Sequence, residues 1–192
     1  MVMQARKLYT PEEYLTLERA AVYKSEYLNG EIYAMSGGTP NHSEIAVSVG
    51  SELRTQLKRT PCHVFSSDLK IKTTSSSLFS YPDVSVICGQ PQFHDAHQDV
   101  VTNPVVIVEV LSDSTEAYDR GRKFFQYRQI DTLMDYILIS QKEPYIDHFT
   151  KHQDGRWAVT TVVGLSSSLR IASIDCTLLL SEIYDKIVFD SE

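Results

Sequence analysis

Apolar residues recur along this chain with two periods, and the alternation between them outlines the fold. "TPEE" announces a first helix. Thr10 can cap it, Pro11 suits its first turn and Glu13 completes a capping box. "SEYLNGEIYAMSGG" alternates as a hairpin does, with Asn29-Gly30 supplying the tight turn. In "TPNHSEIAVSVGSELRTQLKR", Ile45, Val49, Leu53 and Leu57 form a stripe at helical spacing, and Asn41 with Glu44 offers a second capping box.

"CHVFSSDLKIK", "PDVSVIC" and "PVVIVEVL" then read as three strands, parted by a Ser/Thr-rich turn and the polar loop "GQPQFHDAHQDVVTN". In the first of them Asp68, Lys70 and Lys72 share one face with Leu69 and Ile71 opposite, which predicts a polar sheet surface. "STEAYDRGRKFFQYRQI" returns to helical spacing. "MDYILIS", "PYIDHFT" and "RWAVTTV" read as strands, and "CTLLLSEIYD" as a short closing helix. This order predicts an α/β or α+β chain, one central mixed sheet covered by helices. The strand carrying Glu109, a helix and the strand at 135–140 would form a right-handed crossover if the two strands are parallel.

The 192 residues fit one domain spanning 1–192, and 42% apolar with 22% charged residues is ordinary for a globular protein. The start "MVMQARKLYTPEEY" has no apolar leader core and no run is long enough to span a membrane, so a cytoplasmic protein is expected. Cys62, Cys88 and Cys176 are odd in number and far apart, which favours buried free thiols. A net charge of −7 gives no global attraction for nucleic acid, although a local basic rim would suffice. Arg54, Lys58 and Arg59, then Lys70 and Lys72, then Arg120, Arg122, Lys123 and Arg128 form modest clusters, each read first as solvated surface.

One residue breaks the apolar pattern with consequence. Glu109 lies in the middle of "VVIVEVL", where an ionised carboxylate without a partner costs several kcal/mol or changes its protonation. Asp83 opens the neighbouring strand-like run directly after Pro82. Side by side, the two would set a pair of carboxylates at one edge of the sheet, and such a pair needs a cation, a proton or a lysine between its members. Oxygen-only ligation by few residues suits Mg²⁺. Asp119, Lys123 and Tyr127 share one face of the following helix, from which Lys123 could reach back. The plainer alternative is an internal Glu109–Lys123 ion pair with Asp83 turning into its strand, Asp119 as a surface partner and Tyr127 at the edge of the core.

"PDV", with "EVLS" placing Glu109 26 positions after Asp83, and "YDRGRK" in the next helix resemble the PD-(D/E)XK nuclease superfamily, of restriction-endonuclease-like fold. Within it the chain resembles the Uma-two family of bacterial endonucleases, from "KSEYLNGEIYAMS" and "NHSEI" through "YPDVSVI" to "KFFQYRQIDTLMDYILI". That resemblance implies a Mg²⁺-dependent DNA endonuclease, with Mn²⁺ as a substitute ion, hydrolysing phosphodiester bonds through a metal-activated water. It implies Asp83 and Glu109 as metal ligands, helped by the Val110 carbonyl. The superfamily's lysine two positions past the glutamate is Leu111 here, and the resemblance moves that role to Lys123. Glu26 and His42 match family text as auxiliary residues of the cleft. DNA is the implied partner and a homodimer the expected assembly. The alternative is a catalytically silent nucleic-acid-binding or protein-interaction domain that keeps the fold.

Other patterns carry less. His94 and His97 sit in a polar loop without cysteine partners, which favours solvation over a zinc site. "SDLK" mimics an acyl-enzyme motif that requires a helix, and "GGTPNHSE" lacks the ending of a phosphate loop.

Overall fold

The computed structural model describes residues 7–75 and 77–189. Residues 1–6, on which the leader reading partly rests, and Ser76 of the Ser/Thr-rich turn lie outside them. The chain opens with α1 (Pro11–Ala20), the hairpin β1 (Ser25–Leu28) and β2 (Glu31–Ala34), and the long α2 (Pro40–Gln56). Strands β3 (Cys62–Ser66), β4 (Lys70–Lys72), β5 (Leu78–Ser80), β6 (Val84–Cys88), β7 (Val100–Val101) and β8 (Val106–Leu111) follow. Next come α3 (Glu116–Tyr118), a π-helical turn (Asp119–Lys123) and α4 (Phe124–Tyr127). The chain continues through β9 (Asp135–Ser140), β10 (Tyr145–Lys151), β11 (Trp157–Val163) and β12 (Ser168–Ile171). A 3₁₀ turn (Ala172–Ile174), β13 (Cys176–Leu179) and α5 (Leu180–Ile183) complete it.

The strands divide among three sheets. Six of them run in the order β11-β10-β9-β8-β6-β3, mixed because β8 and β9 are parallel, and the crossover between those two is the α3–α4 segment. Five others run β2-β1-β5-β4-β7, and β12 pairs with β13. One face of the six-stranded sheet meets α2 and α5, with Ile45, Val49 and Leu53 packed on Val84, Val106 and Val108. Its other face meets Leu28, Ile71 and Leu78 of the five-stranded sheet together with Tyr127 of α4. Strand β8 is therefore covered on both sides, and all six of its residues are buried. That is why it reads as a continuous apolar run instead of an alternating one.

Several local expectations stand. The capping box of α1 forms, with Thr10 Oγ1 accepting from the Glu13 N–H at 3.2 Å and Glu13 Oε2 from the Thr10 N–H at 2.8 Å. Asn29 and Gly30 take the positive φ values of 49° and 95° that a tight hairpin turn requires.

Others are corrected. The cap of α2 is Thr39, whose hydroxyl accepts from the His42 N–H, so Asn41 and Glu44 lie inside the helix and form no box. Pro40 at the first helical position explains the shift, since it needs no hydrogen-bond acceptor. "CHVFSSDLKIK" is two strands in two sheets, broken by a turn at 67–69. Lys70 lies on no polar surface. It is 2% exposed, with its ammonium over the rings of Tyr14 (5.4 Å) and Tyr81 (5.3 Å). "CTLLLSEIYD" is half strand and half helix. Cys62 and Cys88, expected as free thiols, face each other across β3 and β6 and form a disulfide, while Cys176 is free and buried. Register unites two positions 26 residues apart, which spacing along the chain does not show.

Candidate active site

The six-stranded sheet, the five-stranded sheet, α2 and the π turn meet at one point, and each supplies a polar side chain there. Pro82 offers no N–H to a ladder, and β6 begins only at Val84, paired with Val108. The next outward N–H of β8, that of Val110, therefore donates to the Asp83 carboxylate instead, with Oδ2 at 2.7 Å. Glu109, 4% exposed, points to the opposite face from Val108 and Val110, toward Tyr127 and the π turn.

From that turn Asp119 and Lys123 project together and are buried. The Lys123 ammonium lies 2.9 Å from Glu109 Oε1, 3.0 Å from Glu26 Oε1 and 3.5 Å from Asp119 Oδ1. A single lysine thus joins β1, β8 and its own helix. A π turn is a common feature of functional sites. His42, in the first turn of α2, sets Nε2 3.3 Å from Asp83 Oδ2. Glu26 is tied in further by the Tyr81 N–H at 3.3 Å.

The charges shift one another. Burial, opposed by Lys123, pushes the Glu109 carboxyl well above its usual range, and the neighbouring Asp119, Asp83 and Glu26 add to the rise. Burial likewise raises Asp119. Burial works against the Lys123 ammonium, but Glu109 and Glu26 outweigh it and keep the lysine protonated. The bond to Asp83 raises His42. Four carboxyl groups share this end of the cleft with one ammonium.

All five residues singled out in the sequence, Asp83, Glu109, Lys123, Glu26 and His42, come together and line one open cleft of about 2470 Å³. The Glu109–Lys123 ion pair of the plainer alternative also forms. The pair leaves half of each key carboxylate unused. Among the described residues nothing donates to Glu109 Oε2 or Asp83 Oδ1, and neither oxygen is sealed from the cleft. Asp119 is a full member of the cluster and not a surface partner. Tyr127 is deeper than the core edge expected for it: it is wholly buried and donates to Glu109 Oε1 at 3.0 Å. Ser80, which bonds the Tyr127 hydroxyl at 2.7 Å, carried no sequence signal, because only the pairing of β5 with β4 brings it under α4.

The donors fit a hard divalent ion. Two carboxylates each present one free oxygen, and no cysteine joins them. No group of three or more His, Cys, Asp or Glu side chains among the described residues is arranged to enclose an ion. Mg²⁺ sites commonly take one or two carboxylates and complete the shell with water and phosphate.

An α/β core of mixed sheets with carboxylates and a lysine at the sheet junction is the architecture of a restriction-endonuclease-like protein. A solved structure of similar fold supports that class: a nuclease described as putative and belonging to DUF820, from Anabaena variabilis ATCC 29413, has a TM-score of 0.77 with 16% identity, covering 94% of this chain and 99% of that one. The chain belongs to the Uma2 family, described as "Putative restriction endonuclease", whose model matches residues 11–178. Two relatives come from Synechocystis sp. (strain ATCC 27184 / PCC 6803 / Kazusa). The uncharacterized protein slr1290 is 40% identical over 180 residues, covering 94% of this chain and 93% of its own. The uncharacterized protein sll1609 is 35% identical over 172 residues, covering 90% and 97%.

Proposed function

We propose that this protein is a divalent-metal-dependent DNA endonuclease. The observation that carries the reading is the convergence of Asp83, Glu109 and Lys123 from three separate elements onto one cleft, with one oxygen of each acid taking no hydrogen bond among the described residues. Asp83 and Glu109 would hold Mg²⁺, or Mn²⁺ in its place, through those oxygens. The Val110 carbonyl is the third donor implied by the resemblance. When bound, such an ion supplies Lewis acidity toward a phosphoryl oxygen and a more acidic attacking water.

The protein's own groups divide the remaining work. Lys123 keeps a fixed positive charge beside Glu109, where it can offset charge developing on a phosphate. Glu26 and Asp119 anchor that ammonium so that it does not wander. His42 holds Asp83 by the oxygen facing away from the free one.

The cleft walls favour a polynucleotide despite the acidic whole. Arg54 and Arg122 line it, are exposed and make no ion pair among the described residues, which leaves two cations for backbone phosphates. The test is cleavage of supercoiled plasmid and single-stranded DNA with Mg²⁺ or Mn²⁺, comparing wild type with Asp83→Ala and Glu109→Gln. Wild type alone should cut, and a chelator should stop it. Equal nicking by all three proteins would refute the assignment. Ion binding without cleavage of any nucleic acid would support the silent-domain alternative.

A further inference from the structure

Tyr127 cannot touch a substrate, because its side chain is wholly buried, yet its hydroxyl donates to the central acid of the cleft. The phenol hydrogen is committed to Glu109 Oε1, so the Ser80 hydroxyl must be the donor in the 2.7 Å bond to the phenol oxygen. This gives a directed chain from Ser80 to Tyr127 to Glu109. Lys123 approaches the same oxygen, Oε1, at 2.9 Å. Both partners load Oε1, and among the described residues none donates to Oε2. Asp83 shows the same division, its Oδ2 taking the Val110 N–H with the His42 ring 3.3 Å away.

We infer that Tyr127 is a positioning residue that sets the ion selectivity of the site, and this rests on the metal-dependent reading above. An oxygen already holding a phenol and an ammonium is poorly available to an ion, so Glu109 offers Oε2 alone. One-oxygen ligation suits Mg²⁺ and Mn²⁺, which demand a near-octahedral shell and retain waters. Ca²⁺ takes more ligands, flexibly, and gains from carboxylates that bind through both oxygens. The Ser80–Tyr127 chain therefore favours the smaller ions by withholding Oε1.

Calorimetric titration of the folded protein with Mg²⁺ and, separately, Ca²⁺ tests this in wild type, Tyr127→Phe and Ser80→Ala. Removing the phenol hydroxyl should weaken Mg²⁺ binding about 10-fold, the lower end of the effect of outer-shell partners. Ca²⁺ binding should fall much less or tighten, so the Mg²⁺/Ca²⁺ affinity ratio drops. Ser80→Ala, which keeps the phenol, should shift the ratio in the same direction by a smaller factor and provides the test if Tyr127→Phe fails to fold. A lowered melting temperature with an unchanged ratio would make the hydroxyl merely structural and overturn the inference. In that case continued loss of binding in Glu109→Gln would leave the metal site itself standing. Absence of any divalent binding by wild type would overturn both.

Discussion

Replacing Lys123 by methionine asks how much of this fold depends on a single buried charge. Lys123 is 5% exposed, and its ammonium lies within 3.5 Å of three carboxylates. At an effective dielectric of about 20, each contact at about 3 Å is worth roughly 5 kcal/mol before desolvation, which cancels most of it. Removing one partner of a buried ionic group while leaving the others typically costs about 3–5 kcal/mol. The size of the loss should depend on pH in a direction opposite to ordinary acid denaturation. Glu109 and Asp119 are already raised by burial with the lysine present, and without it they rise further. A carboxyl whose folded pKa exceeds its unfolded one binds more protons in the native state, so stability falls as pH climbs from the ordinary carboxylate range toward the folded value. Each proton so retained is worth about 1.4 kcal/mol per pH unit inside that window. The raised pKa of Lys123 acts in the same direction only at high pH, where wild type alone loses it. Urea denaturation of both proteins at pH 8 and pH 5.5, with slopes compared to confirm equal exposure on unfolding, measures the effect. We expect a deficit of about 3–5 kcal/mol at pH 8 that shrinks by half or more at pH 5.5. A deficit under about 1 kcal/mol at pH 8, or one equal at both pH values, would refute the account of Lys123 as the compensating charge.

Two further outcomes follow from the fold. Thr39→Ala removes the side-chain cap of α2 and should lower stability by about 1 kcal/mol, seen as a shift in the urea midpoint at constant slope. No shift would mean that Pro40 alone fixes the start of the helix. Reduction of the Cys62–Cys88 bond, which closes a loop over a separation of 26 residues, should cost about 3 kcal/mol. For a chain of this size that is a fall of about 6–12 °C in melting temperature. A Cys62→Ser/Cys88→Ser protein should melt at the same temperature with and without reductant, and an unchanged wild-type melting point under reductant would count against the cross-link.

The sequence by itself determined what is local or periodic. The Thr10–Glu13 box, the Asn29-Gly30 turn and the Ile45–Val49–Leu53 stripe depend on neighbours within a turn or two, and each reads directly from spacing. Glu109 was legible as an anomaly because burial of its flanking residues made its charge costly, and Lys123 because helical spacing aimed it backward from the next element. Which carboxylates would gather around that lysine was not determined by spacing. Glu26 arrives from the first hairpin only because the five-stranded sheet packs on the face of β8 that Glu109 occupies. The burial of Lys70, the meeting of Cys62 with Cys88 and the approach of Ser80 to Tyr127 have the same origin. Each depends on pairing or packing between segments far apart along the chain, where hydrophobic burial is indifferent to direction and only the three-dimensional arrangement selects the partner.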